Sequence, residues 1–598
     1  MPSTVMSARD LEFLLYEWLD AEGLAKRPRF AEHSRDTFDG LLELCERLAT
    51  EHFATHLRKG DDEEPTYDGS TVHLIPEIKE AVDRFAQADL LGLSMDEEVG
   101  GLQVPHLVSS ACMAWFFAAN PSTAGYPMLT VGNASLLVAH GSQEQVDTWV
   151  RPMLAGRFHG TMALSEPDAG SNLADISTRA EPADDGSYRL FGRKMWISGG
   201  DHELGENIVH LVLAKLPDAP PGTKGISLFI VPKYLMNDDG SRGERNDVVL
   251  AGLNHKLGYR GTVNTAPVFG DGAFRPRGAA GAVGYLVGEP HRGLPYMFHM
   301  MNSARLSIGL GAAATGYTAY LKSLEYARQR PQGRPLGAGD PATPQVPIVE
   351  HADVRRMLLA QKAYAEGALA LVLYCTRLLD EQETAETDEE RAAAGALLDV
   401  LTPIAKSWPS QWCQEGNSLA IQVLGGAGYT RDYDVELHWR DQRLNPIHEG
   451  THGIQALDLL GRKVLGSGGA GLLTLGGRIE ETVRRAAEAG GEAADLGVQL
   501  KARLDRVGEV TAALGGLGDV ERMLANASVY LEATGHLVVA WLWLEQLLAT
   551  DERPGAFYDG KRQAARYFFR WELPKVGPQL DLLASGDTTT LEMRDSWF

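Results

Sequence analysis

Hydrophobic texture changes twice along this chain, and the order of those changes restricts the architecture more than any single motif does. Residues 1–158 read as helix, with Phe38, Leu41, Leu42, Cys45, Leu48, Ala49 and Phe53 recurring at three- and four-residue steps. Residues 159–278 carry short β-rich runs instead: YRLFGRKMWIS, NIVHLVLAK and GISLFIVPK, parted by Gly, Pro and Asp turns. Helical texture returns over 279–465, where MFHMMNSARLSIGLGAAATGYTAYLKSLEYARQR is long enough for one continuous helix. The Gly-rich stretch GSGGAGLLTLGG at 466–477 reads as a linker. Residues 478–598 read as an additional helical domain, with amphipathic helices over 478–514, 517–549 and 559–575. Strands grouped between helical segments, not alternating with them, predict an α+β multi-part protein and argue against a Rossmann fold.

The 598 residues are enough for several domains, and 44% hydrophobic content is that of an ordinary globular chain. A net charge of −24 excludes a general nucleic-acid binder, which needs a basic face. It leaves room for a small anionic ligand held by local Arg and Lys. Cys45, Cys112, Cys375 and Cys413 lie far apart without a CxxC pair, so they read as buried thiols and not as a zinc site or disulfide framework. The N-terminus has acids where a signal peptide needs a basic segment and an apolar core. The most apolar stretch, HLVVAWLWLEQLLA, is interrupted by Glu545, so no membrane span is expected. These features together lead us to expect a cytoplasmic enzyme.

The segment NPIHEGTHGIQALDLLGRK sets one carboxylate, Glu449, in a short Pro/Gly-bounded loop before a helix. Thr451 is placed to cap that helix, whose apolar face is expected to bury Ile454, Leu457, Leu460 and Val464. A carboxylate held on such a turn suits removal of a weakly acidic C–H proton, because burial raises its pKa and the loop fixes its direction. An acid near a helix N-terminus is also a common dipole-stabilising residue, and the motif alone does not choose. The GGAG at 425–428 looks like a dinucleotide loop but follows the helical NSLAIQVL, so it reads as a helix C-cap and turn. Trp196 lies in a β segment, where a tryptophan is ordinarily core, and Arg330 at a helix end is ordinarily solvated.

Taken in order, the motifs resemble those of the acyl-CoA dehydrogenase family. Ala163-Leu164-Ser165-Glu166 with Ala169-Gly170-Ser171 matches its first signature, and Gln422, Gly425, Gly426, Gly428, Tyr429, Asp432 and Asp441 match its second. Between them stand GRKMWIS (192–198), KLGYRGT (256–262) and the helix carrying Arg305 and Arg330. The resemblance covers essentially the whole chain and points to the large bacterial branch of the family. It implies an N-terminal helical domain, a middle β domain and a C-terminal helical bundle, followed here by the extra helical domain.

What the resemblance implies for function is specific. Glu449 corresponds to the base that takes the α-proton of an acyl-CoA while hydride leaves the β-carbon for FAD. Its backbone N–H would help polarise the thioester carbonyl. The alternative place for the base in some relatives holds Ala304 here. Met162, Leu164, Ser165, Gly170, Ser171, Trp196, Ser198 and Thr451 correspond to flavin contacts, with Ser198 on the same strand face as Trp196. Arg330, Gln422, Gly425 and Gly426 correspond to contacts with the FAD of a neighbouring subunit, implying at least a homodimer. Ser171, Asn302, Arg305 and Gly450 correspond to substrate contacts, and an electron-transfer flavoprotein is the implied acceptor. The chain departs from the family pattern at Asn172, Asp175, Leu437, His452, Gly453 and the PQGRPLG after Arg330. None of these touches the base or the hydride acceptor. The alternatives are an acyl-CoA oxidase, which lets oxygen reach the reduced flavin, and a non-catalytic flavoprotein of the same fold. A DNA-associated flavoprotein would need a basic C-terminal face, which EAGGEAADLG does not supply.

Overall fold

The computed structural model describes residues 3–598, and its chain forms two compact units. One, here the β unit, comprises Asp39–Val104 and Trp115–Ala304; the other, the helical unit, comprises Met1–Phe38, Pro105–Ala114 and Arg305–Phe598.

The β unit is built on a nine-stranded sheet. After helix α1 (Pro121–His140) come β1 (Phe158–Ala163), β2 (Arg179–Pro182), β3 (Tyr188–Arg193), β4 (Ile197–Ser198), β5 (Asn207–Lys215), β6 (Ile226–Pro232), β7 (Val248–Leu253), β8 (Asn264–Phe269) and β9 (Ala282–Leu286). The order is β7-β8-β3-β9-β6-β5-β1, with β2 beside β3 and β5, and β4 beside β8. Neighbours are antiparallel except where β5 meets β1 and β2. β5 and β6 are apolar, β-branched runs buried on both faces, as strands at the centre of a covered sheet must be. Leu190, Val212, Phe229 and Phe269 form the core beneath them. Asn133 of α1 donates to the carbonyls of Thr161 (3.1 Å) and Val209 (2.8 Å), fixing that helix to β1 and β5. Gly160 makes the contact possible, since a Cβ there would lie 2.4 Å from the Asn133 side chain. Strand also appears where helix texture prevailed, in the short pair Thr66–Tyr67 and Val72–His73.

In the helical unit the principal helices are α2 (Gly293–Gln329, belonging here from Arg305), α3 (Ala352–Thr384) and α4 (Asp388–Leu424). Small residues let α2 approach α4 closely. A Cβ at Gly309 would lie 2.1 Å from the Ala405 carbonyl oxygen, and one at Gly316 would lie 2.6 Å from the Cys413 Cβ. Beyond α5 (Val435–Gln442) and α6 (His452–Leu457) lie α7 (Ala470–Ala489), α8 (Gly491–Gly515), α9 (Ala527–Thr550) and α10 (Ala556–Tyr567).

Three sequence expectations change here. Residues 470–477 of the expected linker are helical, because Gly468 and Gly469 alone take the left-handed conformation that ends the preceding turn. The single helix expected over 478–514 breaks at Gly490 and Gly491, whose φ values of 74° and 55° stop α7 as a glycine C-cap does. α9 is buried nearly all round, including Leu537, Val538, Trp541, Leu542 and Trp543, so it is a central helix and not an amphipathic cover. It packs on α6. The four cysteines are buried and free.

A buried ion cluster ties distant parts of the helical unit together. The Lys561 ammonium on α10 meets Asp10 Oδ1 at 2.5 Å and Glu366 Oε2 of α3 at 3.0 Å, and donates to Gln546 Oε1 of α9 at 3.0 Å. Tyr317 of α2 donates to Asp10 Oδ2 at 3.0 Å, and Lys362 pairs with Glu366. Burial pushes the Asp10 carboxyl up and Lys561 pulls it back. Removing the cation leaves two buried carboxyls sharing what charge compensation remains. Lys561→Met, nearly isosteric, should therefore destabilise the protein by about 3–5 kcal/mol, read as a lower urea midpoint. An unchanged midpoint would show that the cluster adds nothing net.

Candidate active site

Glu449 sits in the loop between α5 and α6. The loop folds back on itself, with His448 N–H donating to the Leu444 carbonyl (3.2 Å) and His452 N–H to the Pro446 carbonyl (3.0 Å). Glu449 has φ 52° and Gly450 has φ 89°. A non-glycine residue in the left-handed region costs about 1–2 kcal/mol, so the surroundings must hold it there. Two side chains do so. Gln455 Nε2 donates to the carbonyls of Glu449 (3.1 Å) and Gly450 (3.4 Å), and Lys406 Nζ donates to those of Asn445 (2.7 Å) and Gly450 (2.8 Å). Gly450 cannot carry a side chain, because its Cβ would stand 2.5 Å from Gln455 Nε2. The backbone N–H groups of Glu449 and Gly450 donate to no protein acceptor among the described residues.

Thr451 caps α6 as its position in the sequence predicts, accepting from the Ile454 N–H at 3.3 Å. The expected apolar face is only half right. Leu460 and Val464 are buried, but Ile454 is half-buried and Leu457 is 43% exposed, while Gln455, Ala456 and Leu459 turn inward. The cause is a π-helical stretch over Asp458–Leu465, whose extra residue per turn shifts the buried face. That shift also turns Asp458 toward Arg305 of α2, with Nη1 to Oδ2 at 2.9 Å and both side chains buried.

The loop's electrostatics follow from burial. Desolvation pushes the Glu449 carboxyl above its ordinary range, and the Lys406 and Arg305 charges pull it part of the way back. Burial lowers the Lys406 ammonium to about 7 against the opposing pull of Glu449. His448 falls to about 3 and is neutral at physiological pH, first by burial and then by repulsion from Lys406.

The β unit gathers the first signature and the GRKMWIS motif. Met162 is buried on β1, and Leu164 and Ser165 lie half-buried just beyond its end. Lys194 Nζ donates to the Leu164 carbonyl (2.9 Å) and to Glu166 Oε1 (3.0 Å), and Met195 N–H donates to the Ser165 carbonyl (3.0 Å). Glu166 also accepts from the N–H and hydroxyl groups of Ser177 and Thr178 at 2.6–3.0 Å. Despite its burial, Lys194 and these donors hold its carboxyl down to about 2. Trp196 is a correction: it precedes β4 instead of lying in a strand, at φ 64° and with 63% of its surface exposed. The left-handed kink removes the shared strand face expected for Trp196 and Ser198. Ser198 is on β4, where its hydroxyl accepts from Asn264 Nδ2 at 3.1 Å. Gly170, Ser171 and Asn302 are exposed.

Other assigned residues stand apart from Glu449 within the helical unit. Arg330 follows the C-terminal end of α2, and Gln422, Gly425 and Gly426 close α4; all four are exposed. Ala327, Ile348, Val423 and Leu424 form one core beneath them. The 25 residues from Arg305 to Arg330 correspond to roughly 37 Å of helix. The GGAG segment is a C-cap and turn, with Gly425 at φ 59°. The residues missed by sequence reading are Lys406, Gln455, Asp458 and the Lys194–Glu166 pair. For Lys406, Asp458 and the Lys194–Glu166 pair the signal was a charge inside otherwise apolar texture; the neutral Gln455 gave only a polar residue at a helix start.

A helical bundle joined in sequence to a mixed sheet and an added helical segment is the architecture of the acyl-CoA dehydrogenases. The chain belongs to the acyl-CoA dehydrogenase family and is an acyl-CoA dehydrogenase. Family models match the N-terminal domain at 37–157, the middle domain at 161–271, the C-terminal domain at 291–465 and an acetyl-CoA dehydrogenase C-terminal-like segment at 475–594. The chain is 37% identical over 561 residues to 3-methylmercaptopropionyl-CoA dehydrogenase of Ruegeria pomeroyi, covering 91% of each chain. It is 33% identical over 616 residues to the broad-specificity linear acyl-CoA dehydrogenase FadE5 of Mycobacterium tuberculosis, covering 99% of each. Its fold matches a Bacillus anthracis acyl-CoA dehydrogenase complexed with FAD at TM-score 0.72 and 20% identity, over 98% of this chain and 93% of that one. FAD is the cofactor of this family. No helix among the described residues is long and apolar enough to cross a membrane.

Several buried groups make stability depend on pH. Burial lowers His159 to about 4 and His210 to about 3 in the β unit, as it lowers His448 to about 3 in the loop. The unfolded chain therefore binds protons more readily than the folded one, starting near the ordinary value of 6.5. Their stabilisation is complete above that value and is lost as pH falls toward 4 and 3. Glu166 adds to the loss between 4.5 and about 2, whereas the raised Asp380 and Glu449 act in the opposite sense. The melting temperature should fall modestly from pH 8 to 7, where the lowered Lys194 and Lys406 take up protons at a cost to the fold, and fall steadily between pH 6.5 and 4.5. A rise over that second interval would contradict these assignments.

Proposed function

We propose that this chain converts an acyl-CoA thioester to its trans-2-enoyl-CoA, with Glu449 taking the α-proton. The observation that carries the reading is a half-buried carboxyl held by strained, doubly braced backbone, where desolvation raises its proton affinity. Such a group is matched to a weakly acidic C–H at neutral pH. The unengaged N–H groups of Glu449 and Gly450 give the loop a means to stabilise negative charge on a thioester oxygen. Ala304 beside Arg305 provides no competing carboxylate.

The β-unit residues suit the flavin. Trp196 offers a largely exposed indole on backbone fixed in a strained conformation. The Ser165 and Ser171 hydroxyls bond to no protein group among the described residues, and a Cβ at Gly170 would meet nothing within 4 Å. FAD, when bound, supplies the acceptor for the hydride that leaves the β-carbon. Met162, Leu164 and Ser165 would hold its pyrimidine edge, Ser198 would donate toward the ring, and Thr451 would add a contact from the base loop. Ser171, Asn302, Arg305 and Gly450 would serve the acyl-CoA. Arg330, Gln422, Gly425 and Gly426 would complete the FAD site of a second copy. Their exposure and their distance along α2 from Arg305 support that sharing. An electron-transfer flavoprotein would take the electrons onward, in place of oxygen.

Glu449→Gln tests the base. The variant should fold, retain FAD and bind acyl-CoA, yet lose about a hundred- to ten-thousand-fold or more in anaerobic flavin bleaching by straight-chain acyl-CoAs. Bleaching near the wild-type rate would refute the assignment. Arg330→Ala tests the sharing: the protein should stay folded but lose FAD more readily on dilution, and a monomer that holds FAD tightly in sedimentation would refute it.

A further inference from the structure

The base loop has a second charged neighbour whose role the general reaction does not specify. Lys406 lies in α4 between Pro403 and Pro409 and is fully buried. A lysine in such a position ordinarily reaches a carboxylate for a direct ion pair or snorkels to water. Lys406 does neither. Its ammonium ends on two backbone carbonyls, Asn445 at 2.7 Å and Gly450 at 2.8 Å, which bracket the turn that displays Glu449. One side chain therefore closes the loop from both ends and leaves the carboxylate outside the bond. Gln455 braces the carbonyls of Glu449 and Gly450 from α6, but it is neutral and does not reach Asn445. The loop thus has one charged anchor and one uncharged anchor.

We propose that Lys406 is the positioning residue for the base: its ammonium holds the Asn445–Gly450 turn in the left-handed form and keeps the Glu449 carboxyl available as a carboxylate. The proposal rests on Glu449 being the base. Every charged or titratable group around Lys406 bears on it. Glu449 attracts the ammonium, while Arg305 of α2 repels it and is itself paired with Asp458. His448 and His452 are held neutral in part by it, while the charge of Glu532 on α9 acts on His452 in the opposite sense. Lys406 is the cation in this group that also grips the loop backbone.

Two functions, holding and charging, predict two separable effects. In FAD-loaded Lys406→Met the turn loses its anchor at Asn445 and the carboxylate loses a nearby cation. kcat with the best straight-chain acyl-CoA should fall by about ten- to a hundredfold, the scale of a misplacement near 1 Å. The acidic limb of the kcat/KM profile should move up by about one pH unit, since an opposite charge at close range has been removed. Lys406→Gln keeps a neutral donor and should retain more of kcat while moving the limb equally. Gln455→Met should lower kcat and leave the limb in place. An acidic limb and kcat at wild-type values in folded, FAD-loaded Lys406→Met or Lys406→Gln would overturn the proposal. Failure of both variants to fold and load FAD would overturn it as well, because the fold and not the base would then depend on Lys406. Glu449→Gln run in parallel separates the two readings. If it turns over normally, the base assignment falls. If it is inert while the Lys406 variants behave as wild type, only the positioning role falls.

Discussion

The closeness of α2 and α4 at Gly309 governs the geometry of the helical unit. With no side chain at that position the α2 backbone meets the Ala405 carbonyl, and no larger residue could stand there without separating the helices. One turn before it on α2 is Arg305, and one residue after it on α4 is Lys406. Lys406 grips the loop after α5, and Arg305 stands close enough for its charge to act on Glu449. The π-helical stretch after α6 then brings Asp458 round to Arg305 and commits that guanidinium to a carboxylate away from the loop. A single missing side chain thus decides which charges surround Glu449.

Charge burial recurs in both units under different rules. In the β unit, Lys194 and Glu166 are fully served: the carboxylate gathers four N–H and O–H donors besides the ammonium, so low dielectric strengthens every bond in the set. The loop's environment is the reverse. Glu449 has cations nearby but, among the described residues, no donor seated on its oxygens, and its proton affinity stays high. One carboxylate is locked by its donors and the other keeps a raised proton affinity, and the difference lies in how many donors touch each.

Much of this was legible in the chain itself. The order of textures fixed the α+β class, and the Thr451 cap and the GGAG turn came from spacing and turn chemistry. The acyl-CoA dehydrogenase signatures gave the family. What remained hidden depended on contacts between distant segments. Trp196 reads as strand because its neighbours Ile197 and Ser198 are strand, and nothing local announces a left-handed kink. The face of α6 could not be phased because one π-helical insertion resets the period. Lys406 is a lone basic residue in an apolar helix, and only the packed loop shows what it holds. α9 carries helical spacing on one side, but its other sides are also covered, so periodicity understated its burial.

The cluster around Lys561 has a consequence for how the protein is made. Asp10 leaves the ribosome 551 residues ahead of its cation, Lys561 (561 − 10). At roughly 5–20 residues per second, that separation is on the order of a minute of synthesis. Throughout that time Asp10 and Glu366 have no Lys561, and α9 is absent from the groove it fills. The bundle can gather its helices earlier, but it cannot close its charged centre until Lys561 of α10 arrives. The charged centre of the helical unit is therefore completed late: Asp10 and Glu366 wait for the cation that α10 brings.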